Sequence, residues 1–251
     1  MEQQELWLRS QYDGSMQPSL FYESKSKDAS PLLVGLHTWS YDRFNQVRFM
    51  LPIAEKYGFH LLLPEFRGAN KERNPIHRQA CASKAAMQDI IDATEYVTEH
   101  FNVDRENIFL LGGSGGGHMA LMMAGNYPDF FKAIASFCPI TDLVKWSEQN
   151  EKYRNDILAC CNNDKEEMIM RSPISYVDTI AKANVKIFHG KNDRSVPVSH
   201  SIELFQMINE KYPKSRVYLD IFDGIHEVDF KQAMYWLLSQ YSGVDKKELT
   251  S

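Results

Sequence analysis

Short apolar runs alternate with longer amphipathic stretches along most of the chain. Apolar runs of strand length predict eight β-strands, over residues 6–10, 19–22, 31–36, 59–63, 108–111, 133–138, 185–189 and 217–222. Apolar side chains that recur every three to four residues predict helices over 83–100, 198–211 and 229–241, one that ends near residue 57, and one after residue 114. Pro52 is expected to kink or split the helix that ends near residue 57.

This order of elements predicts an α/β fold with a mostly parallel sheet that is covered by helices on both faces. The first two strands flank Asp13-Gly14, so they are expected to form an antiparallel hairpin at one edge of the sheet. We expect a single domain over residues 1–251. Within it, the polar segment 139–183 is too long for one crossover and is predicted to be a cap-like insertion of short helices. A plain surface excursion is the alternative, and the polar tail 243–251 is expected to be mobile.

Composition narrows the possible partners. A chain of 251 residues with 43% hydrophobic residues can bury a substantial core. Its net charge of −5 argues against nucleic acid or an anionic membrane as a partner. No apolar run is long enough to span a bilayer, and no secretory signal is recognisable. The four cysteines show neither a metal-ligand spacing nor a disulfide framework, so a reducing, cytoplasmic setting is expected.

The most distinctive motif follows the fifth predicted strand. Gly112-Gly-Ser-Gly-Gly116 is a G-x-S-x-G sequence between an apolar strand and a helix of small residues. A serine on such a sharp turn takes a strained backbone conformation, and glycines two positions away avoid a collision there. The first N–H groups of the following helix have no partner within it and can stabilise a developing oxyanion. Ser114 is therefore predicted to be a nucleophile, with an ordinary glycine-rich turn as the alternative.

Two further loops at strand ends carry groups that could activate this serine. Asp193 follows the seventh predicted strand and His226 follows the eighth. Functional side chains of a doubly wound sheet collect at the carboxyl ends of its strands, so we predict a triad of Ser114, Asp193 and His226. His226 would accept the serine proton and Asp193 would fix the imidazole tautomer. Asp220 and Asp223 compete with Asp193 for the role of the acid.

Two other histidines fit the role of the base less well. His118 lies about one turn along the helix after the serine, so its direction is wrong for a base. His189 ends a strand and is expected to pack under the loop that carries Asp193. Arg67 is expected to brace neighbouring loops rather than to act chemically.

An oxyanion hole needs two N–H donors. One is expected from Gly115, the residue after the nucleophile, and the other from the loop after the third predicted strand. In that loop Trp39 is the first choice and Thr38 the second. The substrate pocket is predicted to be lined by side chains from the same loop and from the insertion: Tyr41, Ile140 and Trp146.

The chain resembles an α/β-hydrolase. Within that superfamily it resembles the catalytic domain of the prolyl oligopeptidase-like (peptidase S9) serine hydrolases, whose relatives include dienelactone hydrolase-like esterases. The resemblance covers about residues 32–238 and is carried by Pro64-Glu-Phe-Arg-Gly68, Gly112-Gly-Ser-Gly-Gly-Gly117, Ser172-Pro-Ile174, His189-Gly-Lys-Asn-Asp193 and Gly224-Ile-His226. It implies the α/β-hydrolase fold, with an eight-stranded sheet, and acyl transfer through the serine.

Two departures from that family pattern affect the interpretation. The family often has a His-Gly pair after the third strand, whereas this chain has His37-Thr-Trp39, which leaves the second oxyanion donor open. The oligopeptidases also carry a propeller that sieves peptides, and the sequence contains no counterpart of it. We therefore expect a small ester rather than a peptide as the substrate.

These residues predict a serine hydrolase that cleaves a small carboxylic ester through an acyl-enzyme and needs no cofactor or metal. The alternative is a prolyl oligopeptidase-like peptidase or acylaminoacyl hydrolase that acts on a short peptide. A third hypothesis is a catalytically silent relative that binds a small ligand or a protein, against which the complete triad argues. The sequence leaves the oligomeric state open.

Overall fold

The computed structural model describes residues 1–241, and the predicted tail at 243–251 lies outside this range. The strands are β1 (Gln3–Arg9), β2 (Met16–Tyr22), β3 (Ser30–Leu36), β4 (His60–Pro64), β5 (Val103–Gly113), β6 (Ala133–Phe137), β7 (Asn184–Gly190) and β8 (Arg216–Phe222). The helices are α1 (Val47–Tyr57), α2 (Lys84–His100), α3 (Gly115–Asn126), α4 (Leu143–Gln149), α5 (Glu151–Cys160), α6 (Lys165–Met170), α7 (Val177–Ile180), α8 (Ser199–Lys211) and α9 (Phe230–Gln240). Short 3₁₀ helices lie at His77–Gln79 and Pro173–Tyr176.

The strands form one eight-stranded sheet in the order β1-β2-β4-β3-β5-β6-β7-β8. The β1–β2 and β2–β4 pairs are antiparallel, and all the other pairs are parallel. The predicted mostly parallel sheet and its antiparallel edge hairpin are both confirmed. None of the helices within residues 1–241 has the length and apolar content needed to cross a membrane.

Helices cover the sheet on both faces because buried side chains alternate along the central strands. On β3, Leu32 and Val34 belong to the core that also contains apolar residues of α2, α3 and α8. Leu33 points to the opposite core, which α1 and α9 complete. Continuous burial of β3 on both faces explains why its sequence is an unbroken apolar run rather than an alternating one.

The parallel register aligns the carboxyl ends of the central strands. Gly113 at the end of β5 pairs with Phe137 on β6, which in turn pairs with Phe188 on β7. The last residues of β7 and β8, Gly190 and Phe222, are also paired. The loops that follow β5, β6, β7 and β8 therefore leave the sheet side by side at one edge.

The segment between β6 and β7 folds into α4, α5, α6 and α7 with a 3₁₀ turn. Its apolar side chains form a third core together with residues from neighbouring loops, including Trp39, Cys81 and Val196. Asp142 and Asp164 cap the amino ends of α4 and α6 by accepting backbone N–H bonds. The segment is thus a set of short helices, two of them capped by side chains, that packs on the loop edge of the sheet.

Three local expectations have clear outcomes. Strand β5 begins at Val103, five residues before the predicted start. The apolar pattern does not reveal this first part of the strand, because exposed polar residues interrupt it. Helix α1 continues through Pro52, so the expected split is wrong. Pro52 is exposed, and the buried residues Met50 and Ala54 on the opposite face hold both halves of the helix against the sheet. Arg67 is buried and braces loops as expected, through a 2.6 Å ion pair with Asp89.

Candidate active site

Ser114 lies between β5 and α3 in a backbone conformation that side chains rarely adopt. Its φ of 56° and ψ of −120° are held by an N–H bond to the Phe137 carbonyl, at 2.8 Å, and by the close packing of the glycines around it. A Cβ at Gly112 would collide with the carbonyl of Gly116. The turn can therefore form only with glycine at that position, as the G-x-S-x-G pattern suggests.

The structure brings Ser114, His226 and Asp193 together in one hydrogen-bonded row. His226 Nε2 lies 2.9 Å from Ser114 Oγ, and His226 Nδ1 lies 2.6 Å from Asp193 Oδ2. The three residues come from the loops after β5, β8 and β7, whose strand ends are aligned. Because the carboxylate can only accept, Nδ1 carries the hydrogen and Nε2 is free to accept the serine proton.

Asp193 is held by more donors than His226 alone. Its Oδ1 accepts the N–H groups of Ser195 and Val196, at 2.8 and 2.9 Å, and its side chain has no exposed surface. Burial alone would raise the pKa of Asp193, but the hydrogen bonds from His189, His226 and the Val196 N–H hold that pKa well below its usual value. The carboxylate therefore stays ionised throughout the neutral range.

The two competing acids lie elsewhere. Asp220 pairs with Lys186 at 3.1 Å, and its side chain is partly exposed. Asp223 pairs with Lys191 at 3.0 Å, and 79% of its side chain is exposed. Neither carboxylate contacts the imidazole of His226, so the geometry selects Asp193 as its partner.

Backbone N–H groups from two segments lie beside Ser114 without an acceptor in residues 1–241. One is that of Gly115, the first residue of α3, and the other is that of Trp39 in the loop after β3. The two backbones lie so close together that a Cβ at Gly115 would fall only 2.5 Å from the Trp39 nitrogen. The Thr38 N–H instead donates to Asn45 Oδ1 at 3.2 Å, which removes the second choice of donor.

A cavity of about 380 Å³ opens over Ser114 and His226. Tyr41 is on its wall as predicted for it, together with several residues that the sequence does not assign to the pocket. They come from three different helices or the loops beside them: Phe49, Tyr153, Val228 and Phe230. The aromatic residue Tyr153 could be noticed within the insertion, but no periodicity shows which insertion residue faces a cavity formed by other segments.

Trp146 and Ile140 are not on the cavity wall, which corrects their expected place in the pocket. The Trp146 ring packs edge-on against Trp39 and stacks on Tyr153, and its Nε1–H donates to the Ser195 carbonyl at 2.9 Å. Ile140 is fully buried in the same cluster. These large apolar side chains fill the space behind the wall, so that they support Trp39 and Tyr153 instead of meeting a ligand.

The remaining histidines near the site have other partners. His118 is fully buried, and its Nε2–H donates to the Arg171 carbonyl at 2.7 Å. Burial lowers the pKa of His118 to about 4, so its ring is neutral at neutral pH. His189 lies under the acid loop as expected, with Nε2 2.9 Å from the Val196 carbonyl.

Cys138, the first residue after β6, lies beside the row of three residues. Its sulfur and the nearest ligand atoms of Asp193 and His226 are all within 4.8 Å of one another. Burial and the charge of Asp193 raise the pKa of Cys138 to about 12, which disfavours the thiolate that a metal would need. The imidazole and carboxylate are already hydrogen-bonded to each other, so the arrangement fits proton transfer better than metal binding.

Comparison with known proteins agrees with these observations. The family model of the prolyl oligopeptidase family matches residues 45–245. The chain is 27% identical over 244 residues to the acylamino-acid-releasing enzyme of Mus musculus, which covers 88% of this chain and 32% of that protein. It thus spans about a third of the length of this curated relative.

Solved structures show the same fold. The acylaminoacyl peptidase of Pyrococcus horikoshii superposes with a TM-score of 0.78 at 18% identity, over 100% of this chain and 44% of that one. A puromycin-hydrolyzing peptidase of Mycobacterium tuberculosis gives a TM-score of 0.78 at 15% identity, over 98% of this chain and 40% of that one. The eight-stranded sheet is therefore that of an α/β-hydrolase, as the resemblance implied. Since the family model matches most of the chain, including the glycine-rich turn and the loops of Asp193 and His226, the chain belongs to the prolyl oligopeptidase family of hydrolase enzymes.

Proposed function

We propose that this chain is a serine hydrolase of the acylaminoacyl peptidase type, which releases an N-acylated amino acid from a short peptide. The observation that carries the proposal is the row from Ser114 Oγ to His226 Nε2, at 2.9 Å, and from His226 Nδ1 to Asp193 Oδ2, at 2.6 Å. A hydroxyl on a strained turn, a base in contact with it and an acid behind the base are what nucleophilic acyl transfer requires.

In the first step, Ser114 Oγ attacks the carbonyl carbon while His226 Nε2 takes the hydroxyl proton. The imidazolium that results lies beside the ionised Asp193, which stabilises it and holds its orientation. The leaving amine receives the proton from Nε2, and an acyl-enzyme ester remains on Ser114. Water then repeats the sequence, with His226 again acting as the base, and the acid product leaves.

The oxygen of the attacked carbonyl becomes negative in each tetrahedral intermediate. We assign its two donors to the N–H groups of Gly115 and Trp39, because both are close to Ser114 and unpaired within residues 1–241. The carbonyl of Trp39 accepts the Asn70 N–H at 2.8 Å, which fixes the peptide plane of the loop. Fixed donors of this kind need no rearrangement as the charge develops.

One observation favours an acylated amino acid over the small ester that the sequence predicts, and a second favours an acylated amino acid over one with a free amine. The curated relative is named an acylamino-acid-releasing enzyme. The cavity wall is mainly aromatic or uncharged and polar, with Glu227 as its one carboxylate. An acylated residue carries no ammonium charge, so it can enter such a cavity without a counter-ion. The proposal includes a reducing, cytoplasmic setting, in keeping with four buried, unpaired cysteines.

The test compares matched chromogenic substrates: N-acetyl-alanine p-nitroanilide, alanine p-nitroanilide and p-nitrophenyl acetate. The expected result is a higher kcat/KM for the acetylated amide than for the free amine, and loss of all turnover in Ser114→Ala. A preference for the free amine would contradict the acylaminoacyl class, and cleavage of the ester alone would restore the esterase hypothesis. Turnover by Ser114→Ala would contradict the proposed nucleophile.

A further inference from the structure

A second histidine contacts the carboxylate of Asp193. His189 is the penultimate residue of β7 and is fully buried. Its Nε2 lies 3.3 Å from Asp193 Oδ2, the same oxygen that His226 Nδ1 contacts at 2.6 Å. The acid therefore has one imidazole on the side of the serine and another beneath it.

The hydrogen bonds of His189 define its tautomer. Nε2 is 2.9 Å from the Val196 carbonyl, which can only accept, so Nε2 carries a hydrogen. Nδ1 is 2.7 Å from Ser201 Oγ, whose hydroxyl can donate to it. The ring thus directs its Nε2–H towards the acid loop, while the Ser201 hydroxyl on α8 holds the ring from behind.

The peptide of Val196 connects this ring to the carboxylate. Its carbonyl accepts from His189, and its N–H donates to Asp193 Oδ1 at 2.9 Å. His189 therefore acts on both carboxylate oxygens. It reaches Oδ1 through the Val196 residue and faces Oδ2 directly.

We propose that His189 is a positioning residue, which orients the carboxylate of Asp193 so that Oδ2 stays aligned with His226 Nδ1. This inference rests on the proposed function, since it concerns how the acid of that triad is held. His189 does not contact the nucleophile or the cavity wall. It acts through Asp193, because its Nε2 lies 3.3 Å from Oδ2 and its bond to the Val196 carbonyl holds the residue whose N–H donates to Oδ1.

Loss of the His189 N–H would affect His226 in a defined direction. With one donor fewer, Asp193 would be more basic and would attract the Nδ1–H of His226 more strongly. The imidazolium form of His226 would be favoured, so the protonation that abolishes activity at low pH would occur at a higher pH. A residue that only fills space would not produce this shift.

The other titratable groups around the site keep their identity when only His189 is substituted. They are Cys138 after β6, His200 at the start of α8, Arg194 next to Asp193 in the chain, Glu227 next to His226, and Lys145 on α4 and Glu203 on α8, whose charges act on His200. None of them is altered in a His189 variant, so a difference in pH profile reports on His189 itself.

The experiment compares His189→Leu with His189→Gln, whose amide can still donate to Val196 and Asp193. Active sites are titrated with a fluorophosphonate, so that kcat refers only to folded protein. We expect kcat of His189→Leu to fall about tenfold with KM unchanged, because a buried donor to a charged acceptor has about that effect. The acid limb of kcat/KM should move up by about half a pH unit, whereas His189→Gln should stay within about threefold of wild type.

Two further variants keep the test decisive. Ser201→Ala leaves the His189 ring in place but removes the donor to Nδ1, so it should produce a smaller shift in the same direction even where His189→Leu does not fold. His60→Leu is the matched control, because His60 is also buried, with 2% of its surface exposed, but lies at the amino end of β4, away from the loops of the site. It should lower stability without altering kcat per site or the pH profile.

The outcomes separate the two proposals. A wild-type enzyme that the fluorophosphonate does not label at Ser114 would contradict the proposed function. A labelled wild type, together with a folded His189→Leu whose kcat per site and acid limb are unchanged, would overturn only the positioning role. Should His189→Leu not fold, an unshifted acid limb in Ser201→Ala would overturn it equally.

Discussion

The oxyanion hole can be tested by adding a single methyl group. A Cβ at Gly115 would fall 2.5 Å from the Trp39 nitrogen and 2.6 Å from its Cα, and both are backbone atoms. Ordinary contact begins at 3.4 Å, so the two segments must separate by about 3.4 − 2.5 = 0.9 Å in Gly115→Ala. A donor at about 2.9 Å from the oxyanion would then be near 3.8 Å, which is too far for a hydrogen bond.

The expected cost follows from losing one of two donors. Removal of one oxyanion donor lowers kcat by about 10²–10³-fold, or about 2.7–4 kcal/mol of transition-state stabilisation. KM should change little, because the ground-state carbonyl does not depend on the donor to the same degree. The assay is steady-state hydrolysis of N-acetyl-alanine p-nitroanilide, with active sites titrated and folding checked by thermal denaturation.

Gly125→Ala provides the matched control on the same helix. A Cβ there would fall 2.7 Å from Tyr176 Cβ, which is comparable crowding at the far end of α3. This variant should lose stability but keep its kcat per titrated site. A folded Gly115→Ala with kcat within about threefold of wild type would refute the assignment of Gly115 and Trp39 as oxyanion donors.

Three other predictions concern the charges around the site. Asp193→Asn should lower kcat by about 10⁴-fold at neutral pH without unfolding the protein, because the imidazole loses its tautomer control; a loss below about tenfold would contradict the role of the acid. Iodoacetamide at pH 7.5 should leave activity intact over the time in which it alkylates a free thiol, because burial raises the pKa of Cys138 to about 12; rapid inactivation protected by Cys138→Ser would contradict this. Burial lowers the pKa of both His118 and His200 from the usual histidine value of 6.5 to about 4. As the pH falls below 6.5, both imidazoles therefore become protonated in the unfolded protein before they do so in the folded one. Each histidine should then cost about 2 kcal/mol of unfolding free energy at pH 5 relative to pH 7, and urea denaturation of His118→Gln should show a smaller pH dependence.

The sheet could be predicted because apolar runs mark buried strands regardless of what surrounds them. The relation between Ser114, Asp193 and His226 could be predicted too, since parallel strands place their carboxyl ends side by side. Strand β5 shows the limit of this approach. Its first residues after Val103 are polar and exposed, so nothing in the hydrophobic pattern distinguishes them from a loop.

The cavity wall was less accessible to sequence reasoning because it is assembled from distant segments. Tyr153 and Trp146 both belong to the insertion and are both aromatic, yet only Tyr153 reaches the cavity. The difference is set by the Ser195 carbonyl, which takes the Trp146 Nε1–H and holds that ring behind the wall. Such a contact joins residues that are 49 positions apart and has no local signal in the sequence.

The choice between the donors Trp39 and Thr38 likewise depended on a single contact. Both residues lie in the same loop, and nothing in the sequence shows which of the two backbone N–H groups is free to bind the oxyanion. In the structure the Asn45 side chain accepts the Thr38 N–H, which leaves Trp39 as the donor without a partner in residues 1–241. Side-chain hydrogen bonds of this kind are decided by packing and cannot be read from spacing.

The central claim is that Ser114 is a nucleophile activated by His226. The most direct measurement is mass spectrometry of the protein after incubation with a fluorophosphonate at neutral pH. The account predicts one phosphonyl adduct, located on Ser114, which forms in step with loss of turnover and is absent from Ser114→Ala. An unmodified Ser114 in folded wild-type protein, or an adduct on another residue that accompanies the loss of turnover, would contradict it.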